Sequence, residues 1–255
     1  LKIDLSLWTA ALVGALIQKI FFKDLKEGQI RKVLKELGFT YQKPIFRAYQ
    51  QDLLKVSEWR DERLPAIEQE AFAEGREILY GDEAGFKSTE HRGRTWGEKG
   101  RTPVVKATGA RFAINAISAI SKNGVLRFMA YEGSFTSDTL LIFLKRLSKN
   151  PNEKYTLILD DHPTHKTKKV DTYLEAIAYR IKIYYLPPYS PELNPDEQVW
   201  NHVKNGMKGR FSTSKSQLKS HVLSCMHRLQ KKNELIRSFF QHPDIVGNST
   251  RLVRA

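Results

Sequence analysis

Three acidic residues of this 255-residue chain stand where an α/β fold places its chemistry. Asp82 follows the apolar run Ile78-Leu79-Tyr80-Gly81, and Asp160 follows Leu157-Ile158-Leu159. Glu197 comes eleven residues after Leu186, at the expected first turn of a helix. In open sheets the crevice past the carboxyl ends of the strands is where ligands sit. Carboxylates converging there attract hard divalent cations, which take oxygen ligands. Two such ions can activate a nucleophile on one side of a phosphodiester and stabilise the leaving oxygen on the other. Each residue also has a plainer reading. An Asp after a strand serves as a turn former or helix cap. Asn194-Pro195-Asp196-Glu197 has the pattern of an N-cap, an N1 proline and an N3 glutamate. His162 and His165 share an i, i+3 spacing, but Mg²⁺ prefers oxygen and zinc wants more soft ligands than the chain offers.

The elements that must position these residues follow from periodicity. Residues 7–20 have helical spacing, and a second helix is predicted over 29–37, opened by Gly28 and capped by Gly38. A strand-and-turn excursion over 39–46 completes the outline of a helix-turn-helix with a wing. Residues 50–75 are polar around Trp59 and Ile67 and suit a helical linker. Beyond Arg76 the pattern predicts a short strand at 77–80 and a hairpin of strands 112–120 and 125–131, turned at Lys122-Asn123-Gly124. It then predicts a helix over 136–147, a strand over 155–159, a helix over 165–178 and a strand over 181–186. Helices over 194–207 and 214–230 complete the chain. This order spells a mixed α/β sheet with helices on both faces. Four of the ten prolines fall within residues 185–195, a stiff connection that would hold Glu197 at a fixed distance from the strand ends.

Charge narrows the class of partner. Lys and Arg number 42 against 28 Asp and Glu, a net charge of +14, and a chain that basic meets polyanions. Residues 1–75 hold only +1 of it, 76–210 hold +7 and 211–255 hold +6. Residues 87–111 carry seven basic and two acidic residues around Trp96, a pattern of polyanion contact. The single cysteine, Cys225, forms no internal disulfide and no Cys-based zinc site, which fits a reducing compartment. The longest apolar stretch, residues 7–17, is short of the roughly 20 residues a bilayer span needs, and Asp4 stands where a signal peptide would be basic. No membrane is expected. Leu1 in place of Met, with a helical pattern starting almost at once, reads as a missing N-terminus.

The motifs resemble a family. Leu-Pro-Pro-Tyr-Ser-Pro-Glu-Leu-Asn-Pro-Asp-Glu-Gln-Val-Trp at 186–200 is similar to the signature around the third acidic residue of mariner-related DDE transposases, in particular their bacterial insertion-sequence branch. Leu159-Asp160-Asp161-His162-Pro163-Thr164-His165-Lys166 resembles the second motif of that family, and Tyr80-Gly81-Asp82-Glu83-Ala84-Gly85-Phe86 the first. Arg94-Thr95-Trp96-Gly97 and Gly100-Arg101-Thr102-Pro103 resemble the segment that follows. The resemblance covers residues 76–210, and that of residues 38–44 to the family's DNA-binding part is looser.

The resemblance implies a ribonuclease H-like catalytic domain over 76–210. Before it would come a partial helix-turn-helix region over 1–49 and the linker over 50–75, and after it a basic helical extension over 211–255. It implies Asp82, Asp160 and Glu197 as a metal-holding catalytic triad for two Mg²⁺ or Mn²⁺ ions. Asp161 stands where the family commonly has Asn, and neighbouring strand residues point to opposite faces, so Asp160 and Asp161 share a metal pair only if the strand has ended. Asp196 and Glu197 lie roughly 100° apart on a helix, so one of them should be a ligand. Arg92, Arg94, Trp96, Lys99, Arg101, His165 and Lys166 are the expected DNA-contacting residues. The implied partners are double-stranded DNA, at element ends and at the target, and a second copy in a synaptic homodimer. The implied location is the bacterial cytoplasm, at the nucleoid. Two other functions fit the same residues: a nuclease of this fold without strand transfer, and a truncated or domesticated relative that only binds DNA.

Overall fold

A computed structural model describes residues 7–42, 48–89, 95–105, 108–241 and 245. Two compact units emerge, residues 1–47 and 48–255. In the first, α1 (Ala10–Phe21) starts where Thr9 Oγ1 accepts the Leu12 amide at 3.3 Å. The second helix, α2 (Glu27–Glu36), begins two residues earlier than expected, because Gln29 Oε1 folds back to accept the Lys26 amide at 3.0 Å. Ile30 is buried at Gly14, where a Cβ would stand 2.6 Å from its Cδ1, so the missing side chain permits the contact. Gly38, with φ +84°, lies just past α2 as read from sequence. Residues 39–42 form no strand, and positions 43–46 of the expected excursion lie outside the described residues.

The second unit is built on a five-stranded sheet of order β3-β2-β1-β4-β5. Its strands are β1 (Glu77–Lys87), β2 (Ala113–Ile120), β3 (Leu126–Tyr131), β4 (Tyr155–Leu159) and β5 (Ile181–Tyr185). Neighbours β1, β2 and β3 run antiparallel, whereas β4 lies parallel to both β1 and β5. The sheet is therefore mixed, as the element order predicts. Gly124 supplies the positive φ of the β2–β3 turn.

Side chains alternate across a strand, so each face of the sheet has its own core. Leu79, Ile117, Leu157 and Ile181 pack against α5 (Ser137–Leu147) and α6 (Lys168–Ala176). On the opposite face, Ala84, Phe86, Ala116 and Ile120 meet α7 (Glu197–Gly206), α8 (Lys215–Gln230) and α9 (Asn233–Phe239). Beside them Tyr80, Ile158 and Leu186 receive Val56, Trp59 and Ile67. Those three come from α3 (Leu53–Glu58), a π-helical turn (Trp59–Arg63) and α4 (Leu64–Ala73). Residues 53–73, expected as a linker, thus bury their apolar stripe on the sheet, because that stripe has a core to meet.

Other boundaries differ from the sequence reading for local reasons. β1 does not stop at Tyr80. Gly81-Asp82-Glu83-Ala84-Gly85, which reads as a turn, stays extended because β2 pairs with it through Lys87. Residues 163–166 form a 3₁₀ turn led by Pro163, which puts the start of α6 at Lys168 rather than at His165. Thr136, whose hydroxyl accepts the Thr139 amide at 3.3 Å, caps α5 in place of Ser137 or Asp138.

Gly81 sits where β1 lies close against β2 and the end of β4. A Cβ there would lie 2.8 Å from Leu159 Cδ2 and 3.0 Å from the Ser118 carbonyl oxygen. Gly81→Ala should therefore cost about 1–3 kcal/mol, the usual penalty of overpacking a close contact. A urea titration checks this, and an unchanged midpoint would mean that β1 and β4 separate freely.

Candidate active site

Asp82, Asp160, Asp161, His162 and Glu197 line one cavity of about 560 Å³, walled by Leu186 to Pro191 and by Asn194. Topology explains the convergence. β4 pairs with β1 only as far as Tyr80 opposite Ile158, so Asp82 continues past the last β4 contact and faces the opening. Asp160 is the first residue after β4, and Glu197 the first residue of α7. Because β4 has ended at Leu159, Asp160 and Asp161 both reach the cavity.

The loop before α7 is fastened at several points. Asn194 Nδ2 donates to the Gly81 carbonyl at 2.9 Å, and Asn194 Oδ1 accepts the Asp196 amide at 3.1 Å. Asn194 thus caps the chain as its pattern suggests, though the regular helix begins later, at Glu197. Glu197 does not complete a capping box; among the described residues its carboxylate takes no hydrogen bond, and it turns to the cavity. Gln51 Nε2 donates to the Tyr189 carbonyl at 3.2 Å and to Ser190 Oγ at 3.1 Å, and also meets Glu192. Neither Asn194 nor Gln51 carried a functional signal beyond turn chemistry, since partners so distant in sequence are invisible to local spacing.

Asp196 points the other way. It is 0% exposed, and its Oδ2 accepts the Ser118 hydroxyl at 2.6 Å while Oδ1 has no partner among the described residues. Burial raises its carboxyl well above the usual range, against the Ser118 hydrogen bond, and Asp82, Glu197 and Glu83 push the same way. Burial likewise raises Asp82 far above the carboxylate range, with Glu197, Glu83 and Asp160 adding repulsion. Glu197 is raised by burial and by Asp160, against Lys204.

Asp160 differs from the other two. Burial would raise it, but the hydrogen bond and charge of His165 hold it below the usual range. A basic group thus bears on Asp160, whereas the charges that act on Asp82 are all acidic. His165 is 1% exposed, with Nδ1 3.0 Å from the Asp160 carbonyl and 3.2 Å from Asp160 Oδ1. Its Nε2 lies 3.1 Å from Glu83 Oε1. Although burial opposes it, bonding to Asp160 and Glu83 pushes the imidazole up to about 10. His165 was expected at a DNA phosphate; both its nitrogens are committed within the fold instead. Glu83 was missed, and its signal was strand parity: with Asp82 in an unbroken strand, its neighbour must face the other side.

The donors suit a hard divalent cation. Asp82, Asp160 and Glu197 offer only oxygen, no Lys or Arg is among the described residues lining the cavity, and their mutual repulsion needs an opposing charge. Glu83, Asp160 and His165 also approach within 4.8 Å of one another, but the imidazole already bridges the two carboxylates.

Residues 77–219 match the family of DDE superfamily endonucleases. The chain belongs to that family. Residues 5–63 match a winged helix-turn-helix family, a span that runs from the first unit into the helices on the sheet. The insertion element IS630 uncharacterized 39 kDa protein of Shigella sonnei is 25% identical over 243 residues, covering 92% of this chain and 64% of that protein. The chain thus spans less than two thirds of that relative. Among solved structures, the Mos1 strand transfer complex is similar at a TM-score of 0.57 and 15% identity, over 91% of this chain and 77% of that one. The Mos1 paired-end complex with the left transposon end gives a TM-score of 0.56 at 14% identity, over 91% and 78%. At these identities the likeness is one of fold, and the ribonuclease H-like architecture expected from the sequence is the one observed.

In this endonuclease domain the expected DNA-contacting residues are placed unevenly. Arg92 and Arg94 lie outside the described residues. Trp96 is 99% exposed, Lys99 is exposed, and exposed Arg101 pairs with Glu98 at 3.0 Å. Lys166 meets the Asp161 carboxylate and lies over the Tyr185 ring, 4.8 Å from its centroid.

The raised carboxyls make a linked prediction. Asp82 and Glu197 lose their protons more readily unfolded than folded, so the ion-free protein should lose stability as the pH rises above about 4. His165 adds stability that is complete below about 6.5 and is lost as the pH climbs through about 10. At neutral pH, Mg²⁺ or Mn²⁺ should raise the melting temperature, by an amount equivalent to about 2.7 kcal/mol at 100 times Kd. Asp82→Asn should raise the ion-free melting temperature and remove most of the ion-induced shift. Calorimetry in EDTA and in Mg²⁺ across a pH series tests this, and a wild-type protein indifferent to both ions would exclude the cavity as a metal site.

Proposed function

We propose that the chain is a transposase that cuts DNA at the ends of an insertion element and joins those ends to target DNA. The observation that carries this reading is the convergence of Asp82, Asp160 and Glu197 on one cavity inside the domain that matches the DDE endonucleases. These three would hold two Mg²⁺ or Mn²⁺ ions, which when bound activate the attacking oxygen and stabilise the leaving one. Asp82 contributes from a rigid strand, Asp160 from a strand end braced by His165, and Glu197 from a helix start tied to β1 through Asn194. Hydrolysis exchanges a P–O bond of the DNA for one to water's oxygen and frees a 3′-hydroxyl. Joining exchanges a target P–O bond for one to that hydroxyl, so the number of phosphodiester bonds is conserved. The chain needs no Ser or Tyr nucleophile for either step.

Support for DNA as substrate comes from the net charge of +14, the winged helix-turn-helix match and the named DNA complexes of Mos1 among the structural neighbours. In this reading residues 1–49 read element ends and 76–210 carry the cutting site, while residues 53–73 and the helices α8 and α9 of the basic C-terminal part pack on the same sheet. Arg92, Arg94, Trp96, Lys99, Arg101 and Lys166 contact the backbone or bases. The working form is a homodimer on paired ends, in the bacterial cytoplasm at the nucleoid.

Asp82→Ala should lower Mg²⁺-dependent cleavage by more than about 100-fold, beyond the range for residues that only orient a metal ligand. Duplex binding should stay intact or tighten, since a negative charge facing phosphate is removed. Glu83→Gln should cost about 10–100-fold by loosening His165. Gel assays of cleavage beside anisotropy of binding decide the matter, and an Asp82→Ala protein that still cuts would remove the triad assignment.

A further inference from the structure

Beyond Glu197 the sequence holds no acidic residue from 198 to 233, while eight Lys and Arg and three His fall in that stretch. The fold gathers part of this charge around a second cavity, of about 210 Å³, between α7, α8 and the residues that follow. His202, Arg210, Arg228 and Lys232 line it together with Gly206, Cys225 and Leu229, and no carboxylate is among the described residues that do. Glu234, the next acid in sequence after Lys232, pairs with Arg237 at 2.9 Å. Arg228 is held across the rim by its Nε bond to the Ser224 carbonyl at 3.2 Å and a contact of Nη2 with Cys225 Sγ at 3.4 Å. Two of its five N–H groups are used in this way, leaving the others for a ligand. Burial and the Lys232 ammonium hold the His202 imidazole below its usual value, as expected for cationic groups crowded without a counter-charge.

We propose that this cavity is a phosphate-binding site that grips the backbone of the DNA duplex away from the cut. The inference rests on the reading of DNA as substrate. Its placement on α7 favours a duplex over a small anion. Counted round the helix from Glu197, Asn201 and Asn205 sit at about 40° and 80°, and His202 and Gly206 at about 140° and 180°. The exposed strip between the metal cavity and the basic one is thus neutral, with nothing to repel a phosphodiester chain. The two sites are separated by roughly one helix diameter, about 10–12 Å, and by about 8–14 Å along the axis. Successive nucleotides of a strand advance about 3.4 Å, so a phosphate a few nucleotides from the cut would reach the second cavity.

The full chain carrying Arg210→Ala, Arg228→Ala and Lys232→Ala tests this by anisotropy with a random duplex in EDTA over a salt series. The cavity takes one phosphate, so the slope of log affinity against log salt should fall by about 0.9, with binding about tenfold weaker. Arg210→Lys with Arg228→Lys should keep most of the slope. On the wild-type chain, duplex should shield Arg210 and Arg228 from phenylglyoxal, and inorganic phosphate should not. An unchanged slope with no shielding overturns the proposal, and so does shielding by inorganic phosphate with an unchanged slope, which marks a small-anion pocket. Wild-type cleavage is scored separately. Absent Mg²⁺-dependent cleavage with a reduced slope in the variant defeats the transposase reading and supports the contact, whereas normal cleavage with an unchanged slope defeats the contact alone.

Discussion

The mutual repulsion of carboxylates is the constraint on which the rest of this structure depends. Asp82, Asp160, Glu197, Asp196 and Glu83 are close enough to perturb one another, and burial makes the repulsion stronger. A flexible chain would relieve it by moving the groups apart. This one cannot, because Asp82 is fixed in a strand paired along β2, and Asp160 ends a strand buried at every position. The fold holds an arrangement that an opposing charge would relieve, and that is what a preorganised cation site requires.

β1 divides this load between its two faces. Asp82 looks into the cavity on one side, while Glu83 on the other is met by His165. The imidazole lies near-parallel to Tyr185 and edge-on to Phe135, which excludes water and fixes the ring plane. It also reaches Asp160, so one buried group opposes two of the five carboxylates and ties β1 to the end of β4. A charge placed on that face steadies the site without competing for the cavity-facing oxygens of Asp82. Lys166 does a related task for Asp161, the extra acid at the strand end.

Much of this was legible in the sequence, for reasons that can be named. The order of strands and helices, the Asn-Gly turn and the three acids at their stations follow from local periodicity and turn chemistry. What escaped depended on pairing. Gly81-Asp82-Glu83-Ala84-Gly85 has the composition of a turn, and only the β2 ladder keeps it straight, so the opposite-facing role of Glu83 was hidden along with the strand. His165 reads as a surface residue because it precedes Lys166 and a polar helix, whereas a proline-led 3₁₀ turn rotates it inward. Residues 53–73 read as a linker because their apolar positions are few, yet Val56, Trp59 and Ile67 fall on one stripe and find the sheet.

The placement of Glu197 shows how the basic chain tolerates its acidic centre. A helix start is a soft place for a cavity-lining group, since first turns fray. Three contacts on two strands remove that softness: Asn194 to the Gly81 carbonyl of β1, Asp196 to Ser118 of β2, and Trp200 edge-on to Phe86 of β1, with ring centroids 6.1 Å apart. The first and third grip the strand that carries Asp82, one on each side of it in sequence, so the Asp82–Glu197 separation is set by sheet geometry rather than by the loop. Asp196, buried and bonded to a hydroxyl, is then an anchor whose position next to Glu197 gives that residue its direction. Because the acids are held in place by hydrogen bonds and packing, the positive charge of α7 and α8 need not pair with them and is left on the surface, where a polyanion can use it.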